Sequence, residues 1–324
     1  MTGLGAKCAL CLLLVLSLVG RNAFPQNSLA DLSASAIRAG VVIGGVTQRL
    51  GLGTPSLGPG DFTLREFLCE GIEEVIIPCW WVGYSIKPKP DGFVAAVSVD
   101  EGQLVYFRRP PSKDLGKLQQ PVFAKDDAIA SAKAWVIKTK GVFPSNVALE
   151  HCYYTGDCRI WTIGWLRRHD SYDVDEERLY VELWETEKEL VLTELTDTMT
   201  SREIRIVGAV SLSEAQMEKE VLKYGNELAR IFRLPAGRFR VSASVWKKAR
   251  LLRPLAQNLT LSRHKSPVSR MSSRDFVPCW IYDLRLDRTD SIWHWRAHVI
   301  CDATTGSLYE TTLGYIEAGS LEAD

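Results

Sequence analysis

The chain has 324 residues, enough for two or three compact units that each bury a core. Its 39 basic and 39 acidic residues balance, which excludes a whole-chain field aimed at nucleic acid or an anionic membrane. Ten tryptophans in a chain of ordinary apolar content point to well-anchored cores or a contact surface.

Residues 1–25 read as a secretory signal. Lys7 supplies a positive start, and Cys8 to Gly20 is an apolar run too short to span a bilayer comfortably, which favours a cleaved signal over the alternative, an uncleaved anchor. The chain is therefore expected to be secreted, periplasmic or in the cell envelope, with no membrane span after signal removal. Within 26–110, Leu32, Ala36, Ala39, Ile43, Val46 and Leu50 recur at helical spacing, and the Gly-Pro-rich stretch 51–60 ends that helix. Strand patterns follow at 63–68, 75–86, 93–100 and 104–108. A proline-containing linker leads into 121–198, where Asp126 or Asp127 is expected to cap a helix through Lys138. Strands are predicted there at 148–153, 159–167, 179–184 and 190–194.

The third stretch, 205–316, opens with Ser213-Glu214-Ala215-Gln216, the pattern of a capping box, and a helix expected to run to Phe232. Strands fit 239–245, 277–286, 292–301 and 307–312. Between them lies a basic insert, 247–275. It reads as a solvated extension or as a contact patch for an acidic partner, with Arg250, Arg253 and Lys265 as candidates. Aromatic residues are sparse in it, which argues against nucleic-acid stacking.

The three stretches share an order of elements and an aromatic-led strand, so Trp80, Trp161 and Trp280 occupy equivalent positions and are expected in the core. Trp81, Trp165, Trp293 and Trp295 stand at neighbouring or alternating strand positions, so some must face away from that core. They are the candidate binding aromatics. The six cysteines beyond the signal fall as Cys69 and Cys79, Cys152 and Cys158, Cys279 and Cys301. Each pair is placed to bridge a hairpin in an oxidising compartment; the other reading is buried free thiols.

No catalytic motif emerges. His294 and His298 sit in a strand pattern, roughly 13 Å apart at ~3.3 Å per residue, too far to share a metal. Arg168-His169-Asp170 reads as a hairpin tip. No nucleophile elbow, zincin motif or phosphate loop is present. No catalytic residue, metal site or cofactor is expected.

Asp302-Ala303-Thr304-Thr305-Gly306-Ser307-Leu308-Tyr309 resembles the closing turn of PepSY domains, the repeated units of secreted bacterial proteins. Asp100-Glu101-Gly102-Gln103-Leu104 resembles it with a shortened turn. Glu185-Thr186-Glu187-Lys188-Glu189-Leu190 departs from it, lacking both the Asp and the Gly. Aspartate in such a motif caps the turn and glycine takes the left-handed position. The resemblance implies α+β architecture in three PepSY-like, cystatin-like modules, each one helix packed on a twisted antiparallel sheet, the middle one divergent. It further implies a non-enzymatic binding protein whose partner is another protein, a secreted protease included. The alternative is an envelope scaffold or glycan-binding module using aromatic sheet faces and the basic insert.

Overall fold

The computed structural model describes residues 29–52, 55–69, 74–84, 92–109, 120–170, 172–199, 204–231, 239–245, 250–252, 268–270, 275–288, 293–306 and 308–317. The proposed signal at 1–25 lies outside them. The architecture is α+β. Helix α1 (Leu29–Leu50) precedes β1 (Thr63–Cys69), β2 (Glu74–Tyr84), β3 (Phe93–Ser98) and β4 (Leu104–Arg108). Helix α2 (Lys125–Lys140) precedes β5 (Val147–Thr155), β6 (Ile160–His169), β7 (Tyr172–Glu185) and β8 (Leu190–Asp197). The remaining elements are β9 (Arg205–Ile206), α3 (Glu214–Ile231), β10 (Phe239–Val245), β11 (Arg250–Leu252), β12 (Val268–Arg270), β13 (Asp275–Arg288), β14 (Trp293–Asp302) and β15 (Leu308–Glu317). No helix among the described residues is long and apolar enough to cross a membrane.

Strands β1 to β4 pair antiparallel in chain order, and so do β5 to β8. The two sets then join. Tyr106, Phe107 and Arg108 of β4 lie opposite Thr196, Leu195 and Glu194 of β8, making one eight-stranded antiparallel sheet in the order β1-β2-β3-β4-β8-β7-β6-β5. Both α1 and α2 cover the same face. Ala36, Ala39, Ile43 and Val46 of α1 and Ala128, Ala132 and Val136 of α2 share one core with Trp80, Phe107, Trp161, Leu183 and Leu195. The stripe at positions 32, 36, 39, 43 and 46 explains why α1 lies flat on the sheet. Arg49 of α1 donates to the carbonyls of Lys138 and Thr139, satisfying the end of α2.

Asp126 and Asp127 do not cap α2. Ala124 is its N-cap, and both aspartates stand in the first turn, where their charge complements the helix dipole. The helix also runs two residues past Lys138 and ends at Gly141, whose φ of +93° lets its N–H reach the Ile137 carbonyl at 2.7 Å. At α3 the capping box forms. Ser213 N–H donates to Gln216 Oε1 at 2.8 Å, and Gln216 N–H lies 3.4 Å from Ser213 Oγ.

In the last third, α3 packs Met217, Val221 and Tyr224 on Tyr282, Leu284, Val299 and Cys301, from the meander β10-β13-β14-β15. The described parts of the basic insert are strands. Strand β11 pairs with both β7 and β13, and β12 pairs with β2, stitching this meander to the eight-stranded sheet.

The hairpin disulfides do not form, and strand register explains each case. Cys79 lies opposite Arg65 while Cys69 lies opposite Val75, four residues or roughly 13 Å along β2. Cys152 lies opposite Ile163, whereas Cys158 is in the turn beyond both strands. Cys301 lies opposite Trp280 and Cys279 opposite Asp302, so their side chains leave opposite faces of the sheet. Cys79, Cys152, Cys158 and Cys301 are free thiols, and burial pushes those of Cys79 and Cys301 well above the usual range.

The three turns that suggested a repeat differ in chemistry. Asp302 Oδ1 accepts from the N–H groups of Thr304 and Thr305 at 2.8 and 3.1 Å, and Gly306 has φ +77°. Gly102 also takes a left-handed φ, +63°. In the middle turn the Thr186 hydroxyl accepts from Lys188 and Glu189 N–H instead. Glu185 turns inward, fully buried, and its carboxylate accepts from Trp161 Nε1 at 2.9 Å, from Val122 and Phe123 N–H, and from Tyr154 Oη.

Candidate functional site

Both helices of the eight-stranded sheet lie on one face, so alternate residues of every strand line the other. Trp80 and Val82 turn toward the helices, and Trp81 turns away. Phe107, Leu195 and Val181 likewise point to the core, while Tyr106, Arg108, Glu194, Thr196, Tyr180 and Glu182 point out. Register aligns these outward residues into two neighbouring rows. The first runs Trp81, Ala96, Tyr106, Thr196, Tyr180, Gly164, His151 across β2, β3, β4, β8, β7, β6 and β5. The second runs Gly83, Val94, Arg108, Glu194, Glu182, Thr162, Tyr153.

The first row alternates large and small side chains, which leaves a notched groove of about 850 Å³. Its wall at one end is an aromatic trio. Phe67, Trp81 and Tyr106 have ring centroids 5.6 to 5.8 Å apart. At the other end His151 packs on Tyr153 and Tyr180, with centroids 5.6 and 6.3 Å away. Gly164 makes room for that imidazole, because a Cβ there would lie 2.3 Å from His151 Cε1. A bulge at Glu150 brings its carboxylate to 3.6 Å from Arg178.

Polar groups sit on the aromatic floor. Tyr106 Oη donates to Glu194 Oε2 at 3.2 Å, and Arg108 Nε lies 3.5 Å from the same oxygen. Tyr180 Oη donates to Glu182 Oε1 at 2.7 Å. Burial, then the charge of Glu182, raises the Glu194 carboxyl above its ordinary range, with Arg108 opposing. Burial and the charge of Glu194 push the Tyr106 phenol up to about 12. Burial first, then the bond to Glu182, carries Tyr180 well above the usual phenol range. The Trp81 indole N–H is buried and has no acceptor among the described residues, an orphan donor of the kind that costs about 1–3 kcal/mol.

Of the aromatics expected at a binding face, both Trp81 and Trp165 border this groove, but only Trp81 presents its side chain on this face of the sheet. Trp165 has the parity of Trp161 and Ile163, so it turns into the core; it is 2% exposed and packs edge-on to Phe143 at 5.3 Å. Trp293 and Trp295 lie on β14 and Arg250 on β11, their side chains outside the described residues. Arg253 and Lys265 lie wholly outside them. His294 and His298 are both on β14, extended as expected. Among the described residues no three His, Cys, Asp or Glu side chains gather as a metal-ligand set. Sequence reasoning missed Tyr106, His151, Tyr180 and Glu194. Their strand parity was legible, but only the pairing of β4 with β8 brings them into one site.

No family model matches the chain, and no curated protein matches it. Among solved structures it is similar to the Bacillus megaterium YpeB C-terminal domain, with a TM-score of 0.39 and 9% sequence identity over 86% of this chain and 96% of that one. A likeness of this size leaves function to be argued from the groove.

Proposed function

We propose that this chain is an exported, non-catalytic binding protein built of three PepSY-like units. Its groove captures a protein partner in the cell envelope or outside it, a secreted protease among the candidates. The observation that carries this reading is the helix-free face of the eight-stranded sheet. Aromatic side chains there alternate with small ones across seven strands, and a buried indole N–H stands without an acceptor among the described residues. Aromatic anchors in notches with paired polar groups around them are how protein interfaces concentrate their energy.

The test is a pull-down with the chain from about Asn27 against the host's secreted and envelope fraction, read by mass spectrometry, beside a Val94→Arg variant. Val94 is 40% exposed and lines the groove, so a long charged side chain there fills the groove without entering the core. A stoichiometric protein partner captured by the parent and lost by the variant is the expected result. Partners retained equally by both would move binding off this face. Wall polymer in place of protein would favour the glycan-binding alternative.

A further inference from the structure

We infer that the groove recognises a basic side chain, a lysine or arginine on an extended segment of the partner, seated between Glu182 and Glu194. This rests on the groove being the binding face. Glu182 and Glu194 lie directly opposite each other on β7 and β8, on the same side of the sheet. Like charges so placed repel. The nearby arginines relieve this only in part: Arg178 is at 3.6 Å from Glu150, and Arg108, 63% exposed at 3.5 Å from Glu194, acts on both carboxylates but is outweighed at Glu194 by the charge of Glu182. Glu182 accepts the Tyr180 hydroxyl, a neutral donor.

A cation entering between the two carboxylates would remove the repulsion and form charge-assisted hydrogen bonds. It would also lie near Tyr106, the member of the aromatic trio bonded to Glu194, and aromatic rings attract ammonium and guanidinium groups. An acidic side chain would meet both carboxylates, and an apolar one would bury them further without a partner. The orphan Trp81 N–H, on the row next to these glutamates, needs a neutral acceptor, and a peptide carbonyl flanking the basic residue supplies one. The Glu194 carboxyl is raised by burial first and by the charge of Glu182 next, with Arg108 opposing.

The experiment is selection of a random displayed dodecapeptide library on the folded protein. Selected peptides are then titrated against the parent, Val94→Arg and the isosteric double variant Glu182→Gln/Glu194→Gln, each first checked by thermal melting. The expected binders contain Lys or Arg, are lost on Val94→Arg, and weaken about tenfold or more on the double variant. Replacing the peptide's basic residue with norleucine should weaken binding to the parent equally, a readout that needs no protein variant. Binders that depend on Val94 yet carry no basic residue, or that ignore both changes, overturn the cation assignment and leave the groove standing. If no binder depends on Val94, or none is selected, the groove reading falls with it.

Discussion

At the scale of single residues, the groove's polar floor makes its own pH dependence. Tyr106 titrates near 12 in the folded chain, against about 10 for a free phenol, because it is buried beside Glu194. A raised pKa means the folded state holds the proton more tightly. That stability is complete below pH 10 and lost as pH climbs toward 12. Tyr106→Phe should flatten the fall in unfolding free energy over that window, measured by urea denaturation at stepped pH. An unchanged slope would show that the phenol is not desolvated. Residue identity alone hid the floor's chemistry: Tyr106 and Glu194 are 88 positions apart, and nothing local in either strand marks the other.

At the scale of elements, the legible signals were those with a local cause. The stripe of α1, the capping box of α3 and the left-handed glycines at 102 and 306 each depend on neighbours within a few residues, and each is present. Strand register is not local. A displacement of one residue decides which face a side chain takes, and the Cys279–Cys301 pairing failed on that point. Close packing of α3 on its sheet was equally hidden. Gly225 approaches β10 and β13 so closely that an added Cβ would lie 2.6 Å from Val241 Cγ1 and 2.8 Å from Leu284 Cδ1. Gly225→Ala should therefore destabilise the chain by about 1–3 kcal/mol despite alanine's better helix propensity. A gain in melting temperature would mean that the helix sits farther from the sheet.

At the scale of the whole molecule, the first two helix-and-meander sets share one core, so they are expected to unfold together. Phe107 is 1% exposed, stacks on Phe93 at 5.7 Å, and lies on the strand that meets β8. Phe107→Ala should cost about 3–5 kcal/mol. Native-state hydrogen exchange should lose protection by the same amount in β2–β3 and in β6–β7. Loss confined to β2–β3 would mean two independent halves. The order of a helix followed by strands in each set was readable, whereas the joining of the two sets into one sheet was not, since β4 and β8 are separated by a helix and three strands.

That joining also bears on how the chain avoids sticking to itself. Two separate four-stranded meanders would expose four lateral edges, each an open row of N–H and C=O groups that invites another strand. Because β4 and β8 satisfy one another, two of those four edges vanish within the chain. If that seam opened, the same complementarity would be offered to the β8 of a second copy. Single-chain closure is thus the natural guard against runaway pairing, and whatever loosens the seam opens a route to domain-swapped chains.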